Sequence, residues 1–345
     1  MIYYLYTLHG YTLKINKELK NMEKKNLHFV FQAYLRRWGT PYKRMVEDHK
    51  QEFYKIFRIR RGTHNYEIDE PDVNNIASEN YFYQFMVLND KEKNFLKSLI
   101  KNKKFKSEFD ELVKSNESIL DFEELISKIE NSKLIMITSK IKDAVDNILN
   151  LIKKTKTELI EEYFRDSEDR IAKITSDIVN NENFVFNKSN VSNVVRDILI
   201  QFFRTKKAKI KYEELINNID TKEGIRVEAT FPYFVITQAN DLAYGVLKKY
   251  HNITILHNET EKSYITSDSP VIMVEDNGPF IYYPISPKIA LLVNNTTELK
   301  RKATISEVES FNSLVIENQF KELYVNDCQL AISICKELNS EMEEK

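Results

Sequence analysis

Two rhythms of apolar spacing divide this chain. Through its middle, apolar residues return every three or four positions: Ile141, Val145, Ile148, Leu149 and Ile152, then Leu159, Tyr163, Ile171, Ile174 and Ile178. That spacing predicts a long helical tract over 134–180, broken near 153–157. Val191, Val194, Val195, Ile198, Leu199 and Phe202 predict a further helix over 190–204, with Ser189 or Asn190 as its cap. Segments 90–114, 122–130 and 306–320 share the helical spacing. After Thr221 short β-rich runs take over, at 254–256, 264–267, 271–274, 280–283 and 290–293. They are separated by Asp276-Asn277-Gly278 and by Pro270, Pro284 and Pro287.

Nearer the start, 26–38 reads as a short helix or turn–helix, with Phe29, Phe31, Ala33, Leu35 and Trp38 as its bulk. Segments 53–61 and 65–70 predict a hairpin around Gly62-Thr63-His64, because Tyr54, Ile56, Arg58 and Arg60 alternate with Phe53, Lys55, Phe57 and Ile59. The predicted class is α+β: a mostly helical N-terminal and central region packed on a mainly antiparallel C-terminal sheet. At 345 residues the chain exceeds the size at which one core stops growing. One continuous two-lobed domain is expected, with a motif, hairpin and helical lobe at 22–220 and a β-rich lobe with a closing helix at 221–345. Residues 1–21 read either as an N-terminal extension or as an edge strand.

Composition adds mainly exclusions. A hydrophobic content of 42% is too high for disorder, and a formal net charge of −1 gives no global pull toward nucleic acid or membrane. Cations nevertheless cluster between Arg36 and Arg61 and again over 204–211. Such clusters are solvated faces or polyanion sites. Cys328 and Cys335 cannot staple a fold of this size, which fits a reduced, cytoplasmic compartment. No apolar stretch is long enough to span a membrane. Phosphate-cradling glycine loops, HExxH and GxSxG are absent from the sequence, so no cofactor or metal is expected.

What remains is polar residues set in apolar context. His28 lies four positions before Gln32, one turn apart if the segment is helical. It is either a core histidine satisfied by a carbonyl or an acid–base group, since imidazole titrates near neutrality. Gln201 and Arg204 end an apolar helix and share a face, and a buried Arg requires a carboxylate or an anionic ligand. Asp268, in Thr266-Ser267-Asp268-Ser269-Pro270, is a turn residue or a site carboxylate that pairs with Arg204 or orients His28. The acidic run Glu161, Glu162, Asp166, Glu168 and Asp169 reads as solvated helix surface.

His28, Val30, Tyr34, Leu35 and Trp38 resemble the HxVPxxYLxxF opening of the bacterial domain of unknown function 4238 family, with Phe31 where that family has proline. Asn75, Ala77, Phe82 and Tyr83, then Gln201, Arg204 and Thr205, follow in the family's order. Thr266, Ser267, Asp268 and Pro270, then Pro284, Ser286 and Pro287, and finally Asn312 complete the match. The resemblance implies a mostly helical intracellular protein whose signature residues converge. It implies no reaction.

His28, Arg204 and Asp268 are therefore the candidate catalytic set. Gln32, Tyr34, Arg36, Arg37, Gln201 and Ser267 are the candidate ligand contacts. One reading is a binding or sensor module in which this cluster holds a nucleotide or other anionic ligand, or is simply a buried polar network that fixes the two lobes together. The alternative is a metal-independent RNase-like effector, with His28 as base and Arg204 on the phosphate. A hydrolase with Ser267 or Asp268 as nucleophile is a third reading.

Overall fold

A computed structural model of the chain describes residues 26–80, 82–83, 88–101, 163–181, 183–219, 224–249, 252–274 and 280–343. The expected helices over 122–130 and 134–162, and the segment 1–21, lie outside the described residues. So do Glu161 and Glu162, and everything expected of 90–114 beyond Lys101.

Strand β1 (Asn26–His28) pairs antiparallel with β6 (Ser78–Asn80). Only then does a one-turn helix, α1 (Gln32–Leu35), begin. The helical expectation for 26–38 is thus met only after Phe31. The reason is local: the Phe29 N–H donates to the Ala77 carbonyl at 2.8 Å, which keeps the backbone extended up to the helix.

Strands β2 (Thr40–Val46) and β3 (His49–Lys55) make a two-stranded antiparallel ribbon that was not expected. β4 (Phe57–Arg61) and β5 (Tyr66–Asp69) form the expected hairpin. The run read as one strand over 53–61 is two, parted at buried Ile56, whose N–H donates to the Pro71 carbonyl at 3.2 Å. A 3-10 turn, Val73–Asn75, follows β5.

The helices are α2 (Asp90–Lys101), α3 over 163–180, α4 (Lys188–Phe203), α5 (Lys206–Asn217) and α6 (Val227–Lys249). α4 starts earlier than expected, because Asn187 is its cap and accepts from the Asn190 N–H. α6 was missed altogether. Of its 23 residues 14 are buried, and its less buried face, with Phe234, Gln238, Leu242 and Gly245, is itself mostly apolar, so it shows no polar stripe to read. α4 and α6 pack together as the helical half of the core.

The C-terminal half supplies β7 (Asn252–His257), β8 (Thr266–Ser267), β9 (Ile272–Val274), β10 (Phe280–Ser286), β11 (Ile289–Asn294), β12 (Lys300–Lys302) and β13 (Glu322–Val325). Five of these form a sheet in the order β12-β7-β11-β10-β9, antiparallel except for β12 on β7. A second sheet runs β5-β4-β13-β8, so strands from both halves of the chain share it. Helix α7 (Ile305–Asn318) opens on a capping box between Thr304 and Glu307, and α8 (Cys328–Glu343) closes the fold. The architecture is α+β, with antiparallel pairing predominant. Among the described residues no helix is long and apolar enough to cross a membrane.

Candidate functional site

The end of α4 grips the first strand. Gln201 donates from Nε2 to the Phe29 carbonyl at 3.0 Å, and its Oε1 accepts the Phe31 N–H at 3.1 Å. Proline at position 31 would have no N–H to offer. One turn on, Arg204 Nη2 donates to the His28 carbonyl at 2.8 Å, and Nη1 donates to Glu168 Oε1 at 2.5 Å. Gln201 and Arg204 therefore act as one clamp on residues 28–31. Their three-residue spacing puts them on the same helix face.

Arg204 is only 6% exposed and sits among three aromatic rings. Its guanidinium carbon is 4.9 Å from the Phe164 ring centroid, 5.1 Å from Phe31 and 5.5 Å from Tyr83. Burial by itself would lower its pKa, but the Glu168 carboxylate and the Tyr83 hydroxyl leave it above its ordinary value. The Tyr83 hydroxyl in turn donates to the Arg204 carbonyl at 2.9 Å. Glu168 was expected on a solvated face. Instead it is the carboxylate that Arg204 requires, while Asp166 and Asp169 do point to solvent.

His28 is half-buried and held at both ring nitrogens. Nδ1 lies 3.2 Å from the Ile76 carbonyl, which only accepts, so Nδ1 carries the proton. Nε2 then accepts from Gln32 Nε2 at 2.8 Å, and the same amide donates to Asn74 Oδ1 at 3.2 Å. The predicted His28–Gln32 contact exists, although His28 is on a strand rather than on the helix. Both ring nitrogens are thus engaged within the fold.

Asp268 makes neither of the contacts expected of it as a site carboxylate. It meets neither Arg204 nor His28 by hydrogen bond. Its Oδ1 accepts from the Phe320 N–H at 2.9 Å, and Oδ2 from Lys321 at 2.9 Å and Glu322 at 3.2 Å. Buried at 3% exposure, it locks the loop between α7 and β13. Burial pushes its carboxyl up to about 6, against the three amides that favour the charged form. Ser267 is buried too, and its Oγ accepts the Ser269 N–H at 3.1 Å.

Tyr34 bridges the first segment to the C-terminal sheets. Its hydroxyl donates to the Pro284 carbonyl at 2.7 Å, so at 2.5 Å it must accept from Thr266 Oγ1. Its ring stacks on Tyr283, with centroids 5.2 Å apart. The His28 segment thus touches both the end of α4 and β8. Arg37 is half-buried and donates to the Ala172 carbonyl at 3.0 Å, whereas Arg36 is exposed.

The basic clusters are extensively paired. Arg58 binds Asp69 and Glu322, Arg60 binds Glu67, and Lys206 binds Glu79. Lys207 and Lys209 donate to the Asn318 and Phe82 carbonyls.

Sequence reasoning missed Glu168, Phe164 and Tyr283 as members of this centre. The available signal was that Phe164 and Glu168 lie four apart, one apolar and one acidic, on the same helix face. Among the described residues no group of three or more His, Cys, Asp or Glu is placed to hold a metal ion.

Fold and site together define an α+β protein built round a buried, aromatic-walled arginine paired with a partly exposed glutamate. The chain belongs to the family described as protein of unknown function (DUF4238), whose model matches residues 26–328. No curated protein and no solved structure matches it.

Proposed function

We propose that this protein is a cytoplasmic binding or sensor module for a small acceptor-rich ligand, a carboxylate or phosphate, recognised beside the Arg204–Glu168 pair. The observation that carries the reading is a pair of unmatched buried groups able to donate, near Glu168. Arg204 Nε and the Tyr283 hydroxyl are buried without a hydrogen-bond partner among the described residues. Arg204 Nε can only donate. The Tyr283 hydroxyl is close enough to feel the charges of Arg37 and Glu168, and burial keeps it protonated by raising its pKa. Buried polar groups ordinarily find partners, so unmatched donors favour an anionic ligand.

The RNase-like alternative draws less support. It needs a cation available to the developing phosphorane charge, whereas Arg204 is engaged with Glu168 and the His28 carbonyl. It also needs the His28 Nε2 lone pair that Gln32 occupies. The hydrolase reading draws less still, because Ser267 and Asp268 are buried and bonded to backbone amides.

The test is calorimetry and thermal shift with inorganic phosphate, citrate and AMP as probes, on wild type and Tyr283→Phe. At least one probe is expected to raise the wild-type Tm. Its affinity should fall about tenfold in Tyr283→Phe, the effect of losing one hydrogen bond to a charged group. The unliganded variant should be at least as stable as wild type, since an unmatched hydroxyl has been removed. Silence from all three probes, or equal binding by both proteins, would count against the reading.

A further inference from the structure

The β2–β3 ribbon stands apart from both larger sheets, and most of its residues are exposed. Its two-residue turn is Glu47–Asp48, with φ of 46° and 63°, both in the left-handed region that a twisted hairpin demands. Val46 and His49 flank that turn and are register partners. In such a hairpin the flanking pair is hydrogen-bonded, and bonded pairs then alternate with non-bonded ones. Arg44–Gln51 and Tyr42–Phe53 are thus bonded pairs. Met45–Lys50 and Lys43–Glu52 are not, so Lys50 and Glu52 aim their backbone N–H and C=O groups outward.

Ile56 shares that outward phase, and its N–H duly reaches the Pro71 carbonyl. The outer edge of β3 is therefore taken at the root of the ribbon by the segment around Asp72. Beyond the root, no described strand pairs with it.

From this geometry we infer that the outer edge of β3 pairs with β3 of a second copy of the chain, antiparallel about a two-fold axis at Gln51. The outward phase allows two-fold registers centred on Lys50, Gln51 or Glu52. Centring on Lys50 sets lysine against lysine, and centring on Glu52 sets glutamate against glutamate. Centring on Gln51 sets Lys50 against Glu52 of the partner subunit, twice over by symmetry, with Gln51 facing Gln51 of the partner subunit. Opposite charges directly across a sheet are favourable and like charges are not.

A two-fold at Arg44 on β2 would oppose Arg44 to Arg44 and one at Lys43 would oppose Lys43 to Lys43, whereas the central strand residues of β3 give two opposite-charge pairs. Running antiparallel, the two ribbons carry their bodies at opposite ends, so the main folds do not collide. The product is a four-stranded sheet in place of an isolated two-stranded ribbon, which is marginal in water by itself. The contact is isologous, as a two-fold requires, and small, so association is weak and concentration-dependent. It is independent of the ligand reading above, since it uses none of those residues.

The experiment is sedimentation equilibrium on the full chain, across about two decades of concentration from the micromolar range upward. Wild type is expected to dimerise. Lys50→Glu and Glu52→Lys are expected to be monomeric alone, because each makes the edge single-signed. Mixed together they should form a heterodimer, since every cross-strand pair is then opposite in sign, and the Lys50→Glu/Glu52→Lys double variant should dimerise again. Both side chains are exposed, so matching circular dichroism spectra would exclude misfolding. A wild type that stays monomeric throughout would overturn the inference. So would a dimer indifferent to the single substitutions, or single variants that fail to pair when mixed.

Discussion

Arg204 donates to the carbonyl oxygen of His28 at 2.8 Å across 176 positions of sequence, and its other terminal nitrogen holds Glu168. One side chain thereby ties the end of α4 to the first strand and to α3. Its guanidinium lies among Phe31, Tyr83 and Phe164, where water contributes little screening. The ion pair is consequently more than a surface contact, whose worth is close to zero.

Replacing Arg204 with Met keeps the apolar stem and removes the charge. Glu168 then loses its cation and the His28 carbonyl its donor. Stability is expected to fall by about 3 kcal/mol, the usual effect of breaking a buried pair from one side. Urea unfolding monitored by tryptophan fluorescence measures it, since Trp38 is the only tryptophan and is buried. A change below roughly 0.5 kcal/mol would show the pair to be incidental.

A buried Arg needing an acid was legible in the sequence, and so was the shared face of Gln201 and Arg204. The identity of the acid was not. Glu168 sits in a run of carboxylates, and composition cannot distinguish the one that turns inward. Asp268 misled for a related reason: a carboxylate among strand residues reads as a site group, while its backbone partners at 320–322 are more than fifty positions away. The class and most C-terminal strands were readable because alternation and turn residues mark them locally. α6 was unreadable because even its less buried face, with Phe234, Gln238, Leu242 and Gly245, carries few polar side chains. The ribbon was lost because the Glu47–Asp48 turn carries neither Asn nor Gly, the residues that normally announce such a hairpin.

Asp268 gives a pH signature with a definite sign. Its folded pKa is about 6, above the ordinary 3.8, so the unfolded chain releases this proton first as pH rises. The contribution is complete below about pH 4 and is lost as pH climbs through 6. A shift of that size corresponds to about 3 kcal/mol. Asp268→Asn cannot titrate, so the stability of wild type minus that of the variant should decline between pH 4 and pH 7. Unfolding curves at unit pH steps would reveal it. A difference that grows with pH would mean that the amides of Phe320, Lys321 and Glu322 outweigh burial.

His28→Gln separates a binding module from an RNase. The imidazole bridges the Ile76 carbonyl and the Gln32 amide, and a glutamine retains polarity and approximate size but cannot titrate. If His28 orders the first strand, its loss should lower stability by about 1 to 2 kcal/mol, the scale of one or two hydrogen bonds. Purified wild type should then leave RNA intact at every pH between 5 and 9, the range that brackets imidazole titration. The opposite result is equally specific. Cleavage that rises with pH through the imidazole range, persists in chelator and disappears in His28→Gln would make His28 a general base. It would require Gln32 to release Nε2 when RNA binds, and a Gln32→Leu variant, which frees that nitrogen beforehand, should then cleave faster than wild type.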